Sequence, residues 1–414
     1  MTDPVEKLRL LTLNSLLKGG GADDQCVKLV HGLRQLGAEA TLAGPADREY
    51  SRVARSLGVP LCGTPPEGPL KLRFIWAVAR EARRQKVHIL HGHQGRDLWP
   101  TILAARLSGV RPRIVLTRHM AKSPSSWPSR HFLLSQCDAL IAVSRFVAHV
   151  LREGDRDPGS PNPERHHRPP LRGDLSKIHV IYGGIDVARF NVRPGSDMAV
   201  ARLREEWGLK EGCRAFAIIG SMDFPRGKGQ REFLQAAARI TAQAPQARFL
   251  LIGRGNMESL LREDIARLGL QDVARLTGHC QDMPAVMNAI DCMVHSQVGT
   301  EALPGVVLEA HACGRPVIAS DLDGIPEAFA AGDLGRLVRP ESVEELAGAM
   351  LTEAKRGPLS ETERHLCHDR VARSFSLERS ARAHLEFLGG MIPARNMADR
   401  PARFTAKAKS RESP

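Results

Sequence analysis

Two successive series of short apolar runs, each run separated from the next by a stretch with helical periodicity, constrain this chain more than any other feature. The first series falls at 8–13, 41–43, 87–91, 113–116, 139–143 and 178–182; the second falls at 214–219, 248–252, 273–276, 292–295, 316–319 and 335–338. A short run that is apolar throughout reads as a strand covered on both faces, and strands alternating with helices require crossovers and a parallel sheet. Two series therefore predict two parallel α/β domains. The length of 414 residues agrees, since single cores rarely grow beyond about 250–300 residues. Open parallel sheets bind ligands beyond the carboxyl ends of their strands, so two such domains imply a cleft between them.

The pattern divides the chain into an N-terminal domain at 1–190, a linker at 191–211, a C-terminal domain at 212–372, and a last helix at 373–390 that crosses back to the first domain. The stretch 391–414 is basic and poor in apolar residues, and reads as a disordered tail. Residues 152–174 are dense in proline, charge and histidine, and read as a mobile insertion. The adjacent His166 and His167 lack further ligands at metal-binding spacing and read as solvated.

Fifty-nine Lys and Arg against 46 Asp and Glu leave a net charge of +13. That excess suits an anionic partner such as a nucleotide phosphate, an acidic lipid or a phosphorylated glycan. Nucleic acid is disfavoured, because aromatic residues make up only 4% and no recognition module is present. The eight cysteines are scattered, without a Cys-x-x-Cys pair, as expected of reduced thiols in a cytoplasmic protein. No apolar run approaches the roughly 20 residues of a spanning helix, and the first residues lack a signal pattern. The expectation is a cytoplasmic protein, soluble or peripheral on the inner membrane.

Chemistry-bearing residues gather at the strand ends. Glu301 and Glu309 stand eight apart, with Pro304 and Gly305 marking a helix entry between them. A helix start offers free N–H groups and the positive end of its dipole to an anion, while both carboxylates can accept from hydroxyls. A nucleotide diphosphate joined to a sugar suits that pattern; a solvated surface pair is the alternative. Gly19, Gly20 and Gly21 form a turn between strand and helix that permits close backbone approach to phosphate or sugar. Its glycines lack dinucleotide-fingerprint spacing, which argues against a dehydrogenase. His91, His93 and His119 sit at strand ends, and Lys228 lies in a second glycine-rich turn.

In this order the motifs resemble those of the retaining glycosyltransferases of family 4, whose hallmark is Glu-x7-Glu on a helix ending in Gly-x-Pro, here Gly314-Arg315-Pro316. The first turn resembles the family's Gly-Gly-Ala-Glu, with Asp23 in place of the glutamate; Thr117-Arg118-His119 resembles Thr-x-His. Val180 to Phe190 resembles a further signature in which Gly183 replaces an asparagine, and Gly220 to Gly229 resembles Gly-Arg-x4-Lys-Gly, with Ser221 at the arginine position and a longer turn. Ala302 and Leu303 replace the usual glycine and aromatic after the first glutamate.

The resemblance covers about residues 8–390 and implies a GT-B fold, α/β with two Rossmann-like domains facing across a cleft. It implies transfer of a sugar from a nucleotide-sugar donor, with retention, to a cell-envelope acceptor such as lipopolysaccharide core. His119 and Glu301 would face the donor sugar, and Glu309 the ribose. Lys228 would hold the diphosphate with the amides of Gly305 and Val306, approached by Gly20 and Gly21. Arg226 is the candidate replacement for the arginine missing at Ser221, and Arg96, Arg118 and His93 are candidates for an acidic acceptor. No cofactor is expected beyond the substrate nucleotide-sugar, and no metal. Asp321-Leu322-Asp323 looks like a metal motif but belongs to the family's Ser-Asp-x-x-Gly-x-Pro-Glu segment, ending at Glu327. A GT-B epimerase and a non-catalytic nucleotide-sugar-binding protein are the other readings.

Overall fold

The computed structural model describes residues 7–65, 72–155 and 168–392. Strands β1 (Arg9–Leu13), β2 (Glu39–Gly44), β3 (Leu61–Gly63), β4 (Ile89–Gly92), β5 (Arg113–Arg118), β6 (Ala139–Ala142) and β7 (Ile178–Val180) form one sheet in the order 3-2-1-4-5-6-7. A second sheet joins β8 (Arg214–Ile219), β9 (Ala247–Ile252), β10 (Ala274–Gly278), β11 (Cys292–His295), β12 (Val317–Ser320) and β13 (Gly335–Val338) in the order 10-9-8-11-12-13. All neighbours are parallel, giving two parallel-sheet α/β domains of GT-B type. Each anticipated apolar run is a strand. Only β3 was not anticipated, because this three-residue edge strand is only partly buried and too short to show a period.

Alternate residues of the strands feed opposite faces, as the two-residue period of a pleated strand dictates. In the first domain Leu11, Leu90, Leu116 and Leu140 pack under the helices Leu72–Gln85, Leu98–Leu107, Trp127–Gln136 and Arg145–Glu153. Leu10, Ile89, Val115 and Ile141 face the other way, toward the helices Gly21–Gln35 and Glu49–Ser56 and toward Leu388 of the last helix, Leu377–Gly390. That last helix thus packs in the first domain although it follows the second in sequence. Its approach is close at Gly32, where a Cβ would lie 2.8 Å from the Ala381 Cβ.

The two chain crossings between the domains are tied together. The Ile185 amide donates to the Phe375 carbonyl at 2.8 Å, and the Leu377 amide donates to the Ile185 carbonyl at 2.9 Å. Gly183, the departure from the family asparagine, is explained here: a Cβ would sit 2.4 Å from Gln25 Oε1, whose amide side chain bonds both the carbonyl and the amide of Gly184.

The strand order reverses between β1 and β4 in one sheet and between β8 and β11 in the other. The loops leaving these strands diverge and open the crevice in which ligands of such sheets bind. Among the described residues no helix is long and apolar enough to cross a membrane. His166, His167, most of the 152–174 insertion and residues 393–414 of the tail lie outside the described residues.

Candidate active site

In the second domain the chain leaves β8 at Gly220, whose φ is +144°. A Cβ there would stand 3.0 Å from Lys228 Cγ, so the lysine stem lies across the glycine. Gly229 holds a left-handed φ of +89°, and a Cβ on it would meet the Ser296 carbonyl oxygen at 1.8 Å. The turn is thereby pressed against the end of β11, and Lys228 is aimed at the first glutamate. Lys228 Nζ donates to Glu301 Oε2 at 2.7 Å, and His295 Nε2 lies 3.9 Å from the same oxygen. The Glu301 amide donates to Asp323 Oδ2 at 3.0 Å, and Ala302 N donates to Glu301 Oε1 at 3.2 Å. Asp323 therefore positions the glutamate's backbone.

Burial alone would raise the Glu301 carboxyl, but the charge of Lys228, the neighbouring His295 and the hydrogen bonds outweigh it and hold the group below its ordinary range. Burial pushes His295 down to about 4, against the opposing pull of Glu301; this imidazole is neutral at neutral pH. The helix Gly305–Ala312 starts at Pro304 without any side-chain cap, so its first amides face the site unsatisfied by side chains. A Cβ at Gly305 would meet nothing within 4 Å. Four residues on, burial pushes the Glu309 carboxyl up to about 7, with Lys28 opposing the rise and Asp24 adding to it. Lys28 and Asp24 pair at 2.6 Å on the helix Gly21–Gln35, so Glu309 feels the first domain across the cleft.

In the first domain, Gly20 precedes the helix Gly21–Gln35 with φ +100° and no side-chain cap, and a Cβ on Gly20 or Gly21 would meet nothing within 4 Å. Asp23 turns inward instead. Its carboxylate accepts from Asn14 Nδ2 at 2.8 Å, the Gly19 amide at 2.9 Å and Gln94 Nε2 at 2.7 Å. The acid thus stiffens the turn, and the backbone of Gly20 and Gly21 is what borders open space.

The strand-end histidines are brought together. His119 Nε2 and His93 Nδ1 share a hydrogen bond at 3.1 Å, His91 Nε2 lies 2.7 Å from Thr117 Oγ1, and the His91 and His93 rings are 4.2 Å apart. His384, from the last helix, joins them electrostatically. Burial, followed by the neighbouring His384 and Arg118, pushes His119 down to about 4. At neutral pH His119 is thus a hydrogen-bonding group and carries no charge.

The remaining candidates are dispersed. Arg118 is buried, and its Nε donates to the Lys122 carbonyl at 3.1 Å, which braces the loop after β5. Arg96 is exposed on the short turn Gly95–Asp97 after β4. Arg226 pairs with Glu341 on the loop after β13, while Ser221 offers its carbonyl to Gln230 Nε2 at 3.1 Å. Among the described residues no group of three or more His, Cys, Asp or Glu is arranged to hold a metal ion. A cavity of about 540 Å³ between Arg9, Glu39 and Glu81 lies at the opposite end of the first sheet and contains none of these candidates.

Sequence reasoning missed His295, Asp323 as a backbone anchor, His384 and the role of Glu327. The Glu327 carboxylate, on the second domain, accepts from the amides of Arg145 at 2.9 Å and Phe146 at 2.7 Å and from the Tyr182 hydroxyl at 2.6 Å. It therefore caps a first-domain helix from across the cleft. The Pro326-Glu327 dipeptide was visible, but nothing in it named the partner.

Residues 19–159 match the family model described as Glycosyltransferase Family 4, and 213–354 match that of Glycosyl transferases group 1. The chain is 32% identical over 331 residues to a D-inositol 3-phosphate glycosyltransferase of Rhodococcus erythropolis, covering 76% of this chain and 71% of that one. It is 23% identical to the lipopolysaccharide core biosynthesis mannosyltransferase LpsB of Rhizobium meliloti, covering 92% and 96%. The solved structure of Anabaena HepE in complex with UDP superposes with a TM-score of 0.75 at 20% identity, over 92% of this chain and 100% of that one.

Proposed function

The chain belongs to glycosyltransferase family 4, and from that premise we propose that it moves a sugar from a nucleotide-diphosphate donor, with retention, to a cell-envelope glycan or lipid-linked glycan such as lipopolysaccharide core. The observation that carries this reading is the Lys228–Glu301 pair at 2.7 Å beside the uncapped start of the helix Gly305–Ala312. A diphosphate seated on the amides of Gly305 and Val306 draws the Lys228 ammonium onto its oxygens, which releases Glu301 to accept from the donor sugar's hydroxyls. Glu309, once ionised, accepts from the ribose. His119, neutral, bonds a sugar hydroxyl from the opposite domain.

The anomeric carbon–oxygen bond then breaks with its electron pair leaving on the diphosphate. The acceptor hydroxyl attacks the same face and passes its proton to the departing phosphate oxygen. Stabilisation of that leaving charge by Lys228 and the helix amides supplies most of the rate. A UDP complex of the structural neighbour HepE and the name of LpsB support the donor and acceptor classes.

The deciding experiment is a melting-temperature screen of the protein with UDP, GDP, ADP and their common sugars, with and without EDTA. A selective rise that survives EDTA is expected, because only ligands that bind the native state stabilise it. No response to any nucleotide would remove the donor site from the reading.

A further inference from the structure

We propose that His295 is a positioning residue that takes hold of Glu301 when Lys228 turns to the donor diphosphate, a hand-over that rests on the proposed function. The starting observation is an orphaned imidazole. His91, His93, His311 and His384 are buried, and each bonds through at least one ring nitrogen, to Thr117, His119, the Leu334 carbonyl and the Ser380 carbonyl respectively. His295 is equally buried, at 1% exposure, yet neither of its ring nitrogens has a hydrogen-bond partner. An imidazole shut away from water without a bond is a net cost to the fold, and such an exception calls for a use that the resting arrangement does not display.

Its place supplies the use. His295 ends β11, which is paired with β8 on one side and β12 on the other. The residues before it, Cys292, Met293 and Val294, go into the cores on the two faces of the sheet, so the ring stands on a rigid support. Its Nε2 lies 3.9 Å from Glu301 Oε2, the oxygen that already accepts from Lys228 Nζ at 2.7 Å. That separation is about 1 Å beyond a hydrogen bond. While Lys228 holds the oxygen, His295 is left out.

Withdrawal of the lysine changes the balance. The other hydrogen bond to the Glu301 carboxylate comes from Ala302 N, on Oε1, and a carboxylate with 18% of its side chain exposed needs a second donor. A small rotation of the Glu301 side chain brings Oε2 to the imidazole, which donates to it in the tautomer protonated on Nε2. A neutral donor suits this task. Burial keeps His295 uncharged, so it aims the carboxylate while leaving the negative charge and the remaining lone pairs for the hydroxyls of a donor sugar. Glu301 and Lys228 are the charged groups that act on His295, with opposite signs, so departure of the ammonium also strengthens the pull between the two that remain.

The test is isotope-edited histidine NMR of the full chain, with the His295 resonances assigned by their loss in His295→Gln. Lys228→Ala withdraws the ammonium with no ligand present. In that variant a downfield, exchange-protected His295 Nε2–H proton is expected, absent from the unliganded wild type and abolished by adding Glu301→Ala. Inorganic pyrophosphate added to the wild type should bring out the same proton. Melting temperatures give a second reading. His295→Leu should cost about 2–4 °C more in Lys228→Ala than in the wild type, whereas His295→Gln, whose amide N–H reaches the Nε2 position, should show no such excess. A ring that merely fills space would give equal losses in both backgrounds. The inference is overturned by those equal losses, by a Lys228→Ala spectrum without the bonded proton, or by a bonded proton that survives Glu301→Ala. A response to Lys228→Ala with none to pyrophosphate upholds the pairing and counts against the diphosphate site of the proposed function, so the two failures are distinct.

Discussion

Glu309 is the residue whose charge state is poised for control. Its folded carboxyl is raised to about 7 by burial, from an ordinary value of 4.5. A raised carboxyl contributes stability that is present below the unfolded value and is lost as pH rises through the folded one, because the unfolded chain releases that proton first. Stability should therefore fall between about pH 4.5 and 7, and Glu309→Gln should flatten that slope in urea titrations. On the proposed donor pose, binding carries the opposite sign, since ionised Glu309 would accept from the ribose hydroxyls. Calorimetric affinity for the nucleoside diphosphate should rise as pH passes through about 7, and an equal rise in Glu309→Gln would refute the assignment. For Lys228→Ala, the proposed role as the leaving-group cation predicts a fall in kcat of about 10²–10³. Single-turnover kinetics would measure it, and a change confined to KM would show that the lysine only binds.

At the scale of elements, the second domain depends on backbone geometry at two glycines that differ in kind. Gly229 is left-handed and its missing Cβ is the space filled by the Ser296 carbonyl, so Gly229→Ala should cost roughly 1–3 kcal/mol in equilibrium unfolding. Gly305 opens a helix and has empty space where a Cβ would go. Gly305→Ala should leave the melting temperature unchanged or higher while lowering nucleotide affinity. A loss of stability there would show that the space is not the ligand's.

For the whole molecule, Glu327 couples the domains by satisfying two free amides at the start of the helix Arg145–Glu153 and the Tyr182 hydroxyl. Replacing it by alanine leaves those donors without their carboxylate, a loss of about 1–3 kcal/mol acting between domains. Small-angle scattering of Glu327→Ala without ligand should show a larger radius of gyration and a spread of interdomain distances. An unchanged scattering curve would mean that the hinge contacts around Ile185 and Ser376 hold this domain arrangement unaided.

The two-sheet architecture, the parallel order, the placement of Gly20, His119, Lys228 and Glu301 in the segments that follow strands, and that of Glu309 on the helix beyond were legible because periodicity and strand–helix alternation are local properties of sequence. So was the helix entry at Pro304 and Gly305. The edge strand β3 was not, because a short, half-buried run has no period to read. What only the tertiary structure decided are the meetings between distant segments. Asp23 turns into its own loop, Asp323 anchors the Glu301 backbone, His384 reaches the first-domain histidines from the last helix, Arg226 goes to Glu341, and Glu327 crosses the cleft. Each is a side chain choosing among partners tens to hundreds of residues away or between ligand and protein, and that choice depends on burial and on which dipoles packing brings near, quantities that exist only once the chain has folded.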